Sequence, residues 1–273
     1  MPEIVSLTHV GLLNKGGTVS LSVRSGQSIC VVGPAGSGKS RLAAVFARAE
    51  RPARGTITTP PSVFFSVRQD ISRRSKPQGL AKAAGSSSER ATHVLNELKL
   101  WDLRQKPFSQ LSEAQAAACE LIEPFAGEDR LIVLDGTFDQ LDPWVLAGAF
   151  KLMSERLSQG AVAVVATNRP ELVERFDAVI VLRDQVPVFA GSPADLLLQS
   201  AQRKLTISTA EPDGVRALVA PFEVSVRESS EGLYMQAAEG QAVAAKLLLE
   251  GYGSVKFALV RPPTIEDALR ALI

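Results

Sequence analysis

The chain has 273 residues, of which 45% are apolar, and its formal net charge is +1. This length exceeds what one small core needs, so we expect two domains, or one domain with an appendage. The near-neutral charge gives no support for nucleic-acid binding through bulk positive charge. Two cysteines far apart in sequence, Cys30 and Cys119, argue against a disulfide framework and favour a reducing compartment. Since no apolar run approaches the roughly 18 residues of a membrane span and no signal-peptide pattern is present, we expect any membrane attachment to require another chain.

The first 32 residues alternate short apolar stretches with turn sequences. Residues 19–23 alternate apolar and serine side chains, which is typical of a half-buried strand, and residues 28–32 form an apolar run typical of a buried one. We therefore predict an antiparallel β region followed by a buried strand.

The eight residues after this strand carry three glycines and end in lysine and serine. They read Gly-Pro-Ala-Gly-Ser-Gly-Lys-Ser over positions 33–40 and match the P-loop pattern, with a predicted helix directly behind them. The glycines let backbone amides approach a polyphosphate, and the helix start adds a positive field. The pattern predicts that Lys39 reaches the β- and γ-phosphates and that the Ser40 hydroxyl ligates Mg²⁺. The predicted ligands are ATP and Mg²⁺, and the residues expected to bind the nucleotide here are Gly33, Pro34, Ala35, Gly36, Ser37, Gly38, Lys39, Ser40 and Arg41.

The middle of the chain changes character twice. Residues 72–90 are rich in serine, glycine and basic side chains, which predicts a solvated loop or linker. Helical periodicity returns at 89–103, and a second helix is predicted over 111–125. We therefore expect a helical insertion at about 72–128.

Three continuous apolar runs follow the predicted insertion and alternate with predicted helices. They lie at 131–134, 161–166 and 178–182 and predict βαβ units around a parallel sheet. The first run ends at Asp135, about 95 residues after the P-loop, where a carboxylate is placed to hold Mg²⁺.

The last seventy residues read differently. Alternating strands are predicted at 204–208, 222–226, 233–236 and 255–259, separated by helical segments. We expect an α/β nucleotide-binding domain over 1–202, with its antiparallel β part and helical subdomain, followed by a small α+β domain over 203–273.

Several landmarks over residues 4–200 resemble the ATP-binding subunits of ABC transporters. Beside the P-loop and Asp135, Gln69 stands like the family's Q-loop glutamine, and residues 111–115 (Leu-Ser-Glu-Ala-Gln) fall where the family has Leu-Ser-Gly-Gly-Gln. Residues 141–143 (Leu-Asp-Pro) are similar to its D-loop. The resemblance implies a P-loop ABC-type core in which Gln69 contacts the nucleotide-bound Mg²⁺, a permease partner in the membrane, a second ABC-type ATPase, and a position at the cytoplasmic face of the membrane. The tail is similar to the extension of the family's exporter branch.

The departures from the family pattern concern hydrolysis. Gly136 stands where the family places its catalytic glutamate, and Asn168 where it places a histidine near the γ-phosphate. Glu113 and Ala114 replace the two glycines of the family's Leu-Ser-Gly-Gly-Gln signature. In the family, the backbone at these glycines approaches the nucleotide bound by the facing subunit. We therefore assign no catalytic residue and expect ATP binding with weak or lost hydrolysis, either in a pair with a competent ATPase or as a regulatory subunit.

Two alternatives stay open. The chain could be an active ABC ATPase with a substitute base, although Asp139 lies three residues past the expected position and reads as a surface residue of the D-loop. It could also be a nucleotide-binding adaptor without a role in transport. A role in DNA repair or translation is disfavoured, since no basic stripe indicates a nucleic-acid partner.

Overall fold

The structure is a computed structural model, and it describes residues 3–66, 74–200, 203–209, 212–222, 224–229, 232–237, 243, 246–247, 255–261 and 264–273. Gln69 therefore lies outside the described residues. The chain divides into two compact units, Met1–Pro193 and Ala194–Leu272, with the last residue joining the first unit. The helix Pro193–Ser200 falls almost wholly in the second unit, and the domain boundary expected at residue 203 stays a prediction.

The strands of the first unit form two sheets. In chain order they are β1 Glu3–Gly11, β2 Val19–Arg24, β3 Ser28–Val32, β4 Arg54–Thr58, β5 Val63–Ser66, β6 Leu131–Asp135, β7 Val162–Ala166, β8 Ala178–Arg183 and β9 Val186–Gly191. β1, β2 and β4 pair antiparallel in the order β2-β1-β4. The other six are ordered β5-β6-β7-β3-β8-β9, and every neighbouring pair is parallel except β8 and β9.

Burial explains why the parallel strands are continuous apolar runs. Every residue of β3 and β7 is buried, as are the first four residues of β6, because helices or the other sheet cover both faces. The predicted P-loop α/β core with an antiparallel part is thus confirmed.

The helices of the first unit, as far as it is described, are α1 Lys39–Phe46, α2 Pro77–Ala83, α3 Ser88–Glu97, α4 Glu113–Glu120, α5 Ile122–Ala126 and α6 Pro143–Ser158. α1 buries Leu42, Val45 and Phe46 in the apolar core that joins the two sheets. This packing fixes the start of α1, and with it the loop that precedes the helix.

The solvated loop expected at 72–90 is only partly right. α2 lies within it, and its start fits Pro77, because proline at the first helical position loses no hydrogen bond there. Only Pro77 and Ala81 of this helix are buried, so its hydrophobic pattern is too sparse to be seen in the sequence.

The single helix predicted over 111–125 is wrong. The chain breaks at Leu121 into α4 and α5. Pro124 gives the physical reason, because its ring clashes with the carbonyl four residues earlier in a continuous helix.

The helical part is joined to the core through α3 and α6. Arg90 of α3 donates to Glu155 of α6 at 2.6 Å and to the backbone oxygen of Phe125 at 2.8 Å, and His93 lies 2.9 Å from the same carboxylate. Burial alone would raise the pKa of the Glu155 carboxyl, but hydrogen bonds from Arg90 and His93 hold it below its usual value. Glu155 is therefore expected to stay ionised to a lower pH than an ordinary glutamate.

The second unit contains an antiparallel sheet of β10 Arg203–Thr209, β11 Val224–Ser229, β12 Gly232–Ala237 and β13 Val255–Arg261, in the order β11-β12-β10-β13. Its helices within the described residues are α7 Pro193–Ser200, α8 Pro212–Val219 and α9 Ile265–Leu272. Val215 and Val219 of α8 pack with Leu233 and Met235 of β12 in a core separate from that of the first unit.

Both cysteine thiols are expected to be unreactive in the folded protein. Burial raises the pKa of the Cys119 thiol to about 12, and burial with the nearby Asp139 carboxylate raises the pKa of the Cys30 thiol further. Because the thiolate is the nucleophile, iodoacetamide at about pH 8 should label neither cysteine, while both should be labelled in denaturant. Intact-protein mass spectrometry measures this, and rapid labelling of either thiol under native conditions would contradict it.

Candidate nucleotide site

The loop at residues 33–40 connects β3 to α1 and turns sharply at its glycines. Gly36 and Gly38 have φ angles of 79° and 94°, a backbone conformation that favours glycine. Gly33 is fixed by packing instead, since a Cβ there would lie 2.2 Å from the Leu182 oxygen and 2.6 Å from Ser37 Oγ. The loop thus needs glycine for its turns and for its close approach to β8.

The Lys39 ammonium spans the mouth of this loop. Its Nζ donates to the backbone oxygens of Gly33 and Pro34, each at 2.7 Å. Burial lowers the pKa of Lys39, and the carboxylates of Asp139 and Asp135 oppose that lowering. The cation is therefore held just after the carboxyl end of β3, where two carboxylates act on it electrostatically.

The donors around the loop fit a polyphosphate. Ser37 Oγ is buried and has no hydrogen-bond partner among the described residues, so the loop contains a polar group still to be satisfied. The first-turn amides of α1 have no acceptor within the helix, and this turn contains no acidic residue. Ser40, the second residue of α1, is exposed, and Asp135 at the end of β6 is half-buried. This set of amides, hydroxyls and one ammonium suits an anion accompanied by Mg²⁺.

Arg41 is held away from the loop by its own partners. Its guanidinium donates to Glu50 at 2.5 Å, to the backbone oxygen of Leu12 at 2.7 Å and to Gln185 Oε1 at 3.1 Å. Gln185 in turn donates its backbone amide to the Ser37 oxygen at 3.0 Å. In this arrangement Arg41 supports the loop, and a contact of its side chain with nucleotide stays a prediction.

The residue after Asp135 offers no side chain. Gly136 has φ 71°, and a Cβ built on it would find nothing within 4 Å. Its amide donates to the Ala166 oxygen at 2.9 Å, which ties the loop after β6 to the end of β7. The position therefore contains open space and no side chain that could act as a general base.

Asp139, predicted as a surface residue of the D-loop, is half-buried and hydrogen-bonded to another loop. Its carboxylate accepts hydrogen bonds from the Thr167 hydroxyl, from the Asn168 amide at 3.0 Å and from Asn168 Nδ2 at 2.9 Å. We call these three residues the Asp139 bridge. It joins the loop after β6 to the loop after β7. The sequence contains no signal for it, because the three residues lie on two loops whose proximity depends on strand order.

The two remaining landmarks, residues 111–115 and 141–143, lie at the starts of α4 and α6. The Ser112 hydroxyl accepts from the Gln115 amide, and the Gln115 side chain accepts from the Ser112 amide, forming a capping box at the start of α4. Asp142 caps α6 by accepting from the amides of Trp144 and Val145, both at 2.9 Å. The substituted positions of the first landmark, Glu113 and Ala114, lie in the first turn of α4.

Comparison with known proteins assigns the family. The family model described as ABC transporter matches residues 17–139, which include the P-loop, residues 111–115 and Asp135. The chain contains an ABC transporter ATP-binding domain.

This ABC domain also has curated relatives. The Nod factor export ATP-binding protein I of Mesorhizobium japonicum is 24% identical over 93% of this chain and 81% of its own. The sulfate/thiosulfate import ATP-binding protein CysA of Pseudomonas putida is 26% identical over 78% and 75%.

Solved structures agree with the fold of the ABC domain. An ATP-binding subunit of an ABC transporter superposes with a TM-score of 0.63 at 19% identity, covering 72% of this chain and 92% of that one. A nucleotide-free ATP-binding cassette gives a TM-score of 0.57 at 17% identity, covering 70% and 92%. Within the described residues, no helix combines the length and hydrophobicity needed to cross a bilayer.

Proposed function

We propose that this chain is the nucleotide-binding subunit of an ABC-type transport complex, that it binds ATP with Mg²⁺, and that it hydrolyses ATP slowly or not at all. The observation that carries the proposal is the contrast between two loops at the carboxyl ends of the parallel strands β3 and β6. The P-loop retains its turns, its ammonium and an unsatisfied buried hydroxyl at Ser37, while Gly136 provides only open space after Asp135.

Each residue of the proposed site has a defined role. Lys39 would hold the outer phosphates, and the amides of the loop and of the start of α1 would receive the rest of the polyphosphate. Ser40 and Asp135 would hold Mg²⁺, which supplies charge neutralisation for the phosphates when bound. Gln69 is proposed as a further Mg²⁺ contact on the resemblance alone.

Loss of hydrolysis is the expected consequence of Gly136. A positioned general base contributes about 10²–10⁴ in rate, and glycine cannot accept a proton from water. Asn168 adds to the defect, since an amide neither accepts a proton nor becomes positively charged at neutral pH.

Asp139 is a poor substitute for the missing base. Its two oxygens already receive hydrogen bonds from Thr167 and Asn168, so both are engaged within the protein and neither is directed at a water molecule alone. An active ABC ATPase would need to break this bridge in every turnover. We therefore place an active ATPase second to the hydrolysis-impaired subunit.

A permease and a second ATPase are the proposed partners. Relatives named for both export and import support a transport role. The direction of transport stays a prediction, and the resemblance of the tail favours export. A chain with faults in both its own site and its signature residues would leave a homodimer without a competent site, so we propose a heterodimer at the cytoplasmic face of the membrane. Purification of the tagged chain in mild detergent should recover a polytopic membrane protein and a second P-loop ATPase. Recovery of neither would favour the adaptor alternative.

Steady-state ATP turnover tests the proposed loss of hydrolysis. The purified chain should turn over at least about 100-fold more slowly than the usual 1–10³ s⁻¹ of enzymes. Gly136→Glu should raise the rate about tenfold or more, since it adds a carboxylate in open space, although a side chain at φ 71° costs of order 1 kcal/mol.

Gly136→Ala is the matched control, because it introduces the same backbone strain without a carboxylate, and its rate should equal that of the unmodified chain. Turnover by the unmodified chain within the ordinary enzyme range would refute the proposal. An equal increase in the alanine variant would show that the effect of glutamate is not chemical.

A further inference from the structure

We propose that the phosphate end of this site selects a nucleoside diphosphate over a triphosphate, so that MgADP binds more tightly than MgATP, because the Asp139 bridge fixes a carboxylate on the loop that is held against the strand leading into the P-loop. This inference rests on the proposed function, since it requires that the P-loop binds nucleotide. It adds a ligand preference to a site whose retained residues alone would suit either nucleotide.

The sheet order brings the bridge to the P-loop. β7 lies between β6 and β3, so the loops after these three strands leave the sheet side by side. The Thr167 amide donates to the Val31 oxygen at 3.0 Å, which holds the loop after β7 against the strand that leads into the P-loop. Asp139 is bonded to that same loop, and its carboxylate is therefore close to the loop that receives the outer phosphates.

The bridge also redirects the donors of Asn168. Its side-chain Nδ2 and its backbone amide both donate to Asp139 Oδ2, at 2.9 and 3.0 Å. A phosphate needs hydrogen-bond donors, and the other polar atom of this side chain is an acceptor oxygen. A residue that could have donated to a third phosphate is thus engaged by a carboxylate.

The charges at this end of the site favour the smaller anion. Lys39 is the ammonium of the loop, and the carboxylates of Asp139 and Asp135 both act on it electrostatically. MgATP carries one more negative charge than MgADP, and that charge lies on the outermost phosphate, which Lys39 would hold. Asp135 would be engaged with Mg²⁺, so Asp139 is the carboxylate left to repel this charge. The repulsion energy between like charges several ångströms apart in a partly buried site is large enough to change affinity by about tenfold.

Equilibrium binding on the full chain tests the preference. Calorimetric titration with excess Mg²⁺ would compare ADP with the β,γ-imido analogue of ATP, which cannot be hydrolysed. The analogue should bind about tenfold more weakly than ADP. Asp139→Asn keeps the shape and an acceptor oxygen but removes the charge, and it should bring the two dissociation constants close together by tightening the analogue alone. Asp102→Asn, an exposed position in the helical part, is the matched control and should leave their ratio unchanged.

The possible results are distinguishable. Equal or tighter binding of the analogue by the unmodified chain would overturn the inference and leave the proposed nucleotide-binding function standing. An unchanged ratio in Asp139→Asn would also overturn it, by showing that the bridge is only structural. Binding of neither nucleotide would overturn the proposed function itself. Thermal unfolding of each variant checks the fold, and Asp139→Ser, a smaller uncharged side chain, gives a second variant if the asparagine form is unstable.

Discussion

Lys39→Ala is expected to weaken Mg²⁺-nucleotide binding by about 100-fold, since the loss of a hydrogen bond to a charged group costs about 1.5–3 kcal/mol. Lys39 is the residue whose ammonium already lies in the loop, bonded to the oxygens of Gly33 and Pro34. Those two bonds fix the side chain before any ligand arrives, so little side-chain freedom is left to lose on binding. Calorimetric titration of ADP into both forms measures the change.

Lys82→Ala is the matched control for this experiment. Lys82 is an exposed lysine in the last turn of α2, and its loss removes the same charge from the chain without touching the loop. Its affinity for nucleotide should equal that of the unmodified chain. If Lys39→Ala bound ADP as tightly as Lys82→Ala, the nucleotide could not lie in the P-loop.

The buried strands could be predicted from the sequence because the physical requirement on them is simple. A strand covered on both faces needs apolar side chains at nearly every position. The strands that end at Val32, Asp135 and Ala166 were therefore identifiable without knowing which strands they pair with. The P-loop was equally readable, because its glycines, lysine and serine act through local backbone geometry.

The helical part was harder to predict because its signals are few. α2 buries only Pro77 and Ala81, and a helix with so little apolar surface resembles a polar loop in sequence. The break between α4 and α5 had a visible cause in Pro124, but the alanine-rich sequence around it favours helix throughout.

The Asp139 bridge could not be predicted, because it depends on which strands are neighbours. Asp139 and Asn168 are 29 residues apart, and only the pairing of β6 with β7 brings their loops together. In the sequence, the substitutions at Gly136 and Asn168 indicate only losses. The structure adds that Asn168 has acquired a partner, and that this partner is an acid.

Residues 111–115 include two that stabilise a helix of this chain and two that differ from the family pattern. The two matching polar residues, Ser112 and Gln115, form the capping box of α4 and thus have a role within this chain. The two that depart, Glu113 and Ala114, stand where the family's glycines serve a facing subunit. This division supports a subunit whose own helices are preserved while its contribution to a partner's nucleotide site is reduced.

Gly148→Ala is expected to destabilise the first unit by about 2–3 kcal/mol, the cost typical of a side chain forced into a packed contact. A Cβ on Gly148 would lie 2.1 Å from the backbone oxygen of Glu97, where α3 ends against α6. The helices cannot easily separate, because Lys151 is bonded to Glu97 at 2.5 Å and Arg90 to Glu155 at 2.6 Å on the same interface. The steric cost must also exceed the roughly 1 kcal/mol that alanine gains over glycine within a helix.

Gly79→Ala separates packing from helix propensity. Gly79 lies in α2, and a Cβ there would meet nothing within 4 Å, so this variant should be stabilised by roughly 0.5–1 kcal/mol. The two tryptophans, Trp101 and Trp144, both belong to the first unit, so urea unfolding followed by their fluorescence measures this unit alone. Opposite signs of the two changes in unfolding free energy would establish that α3 and α6 pack through Gly148. A stabilising effect at both positions would instead mean that the helices can move apart, and the helical part would then be attached to the core more loosely than the Arg90 and Lys151 contacts indicate.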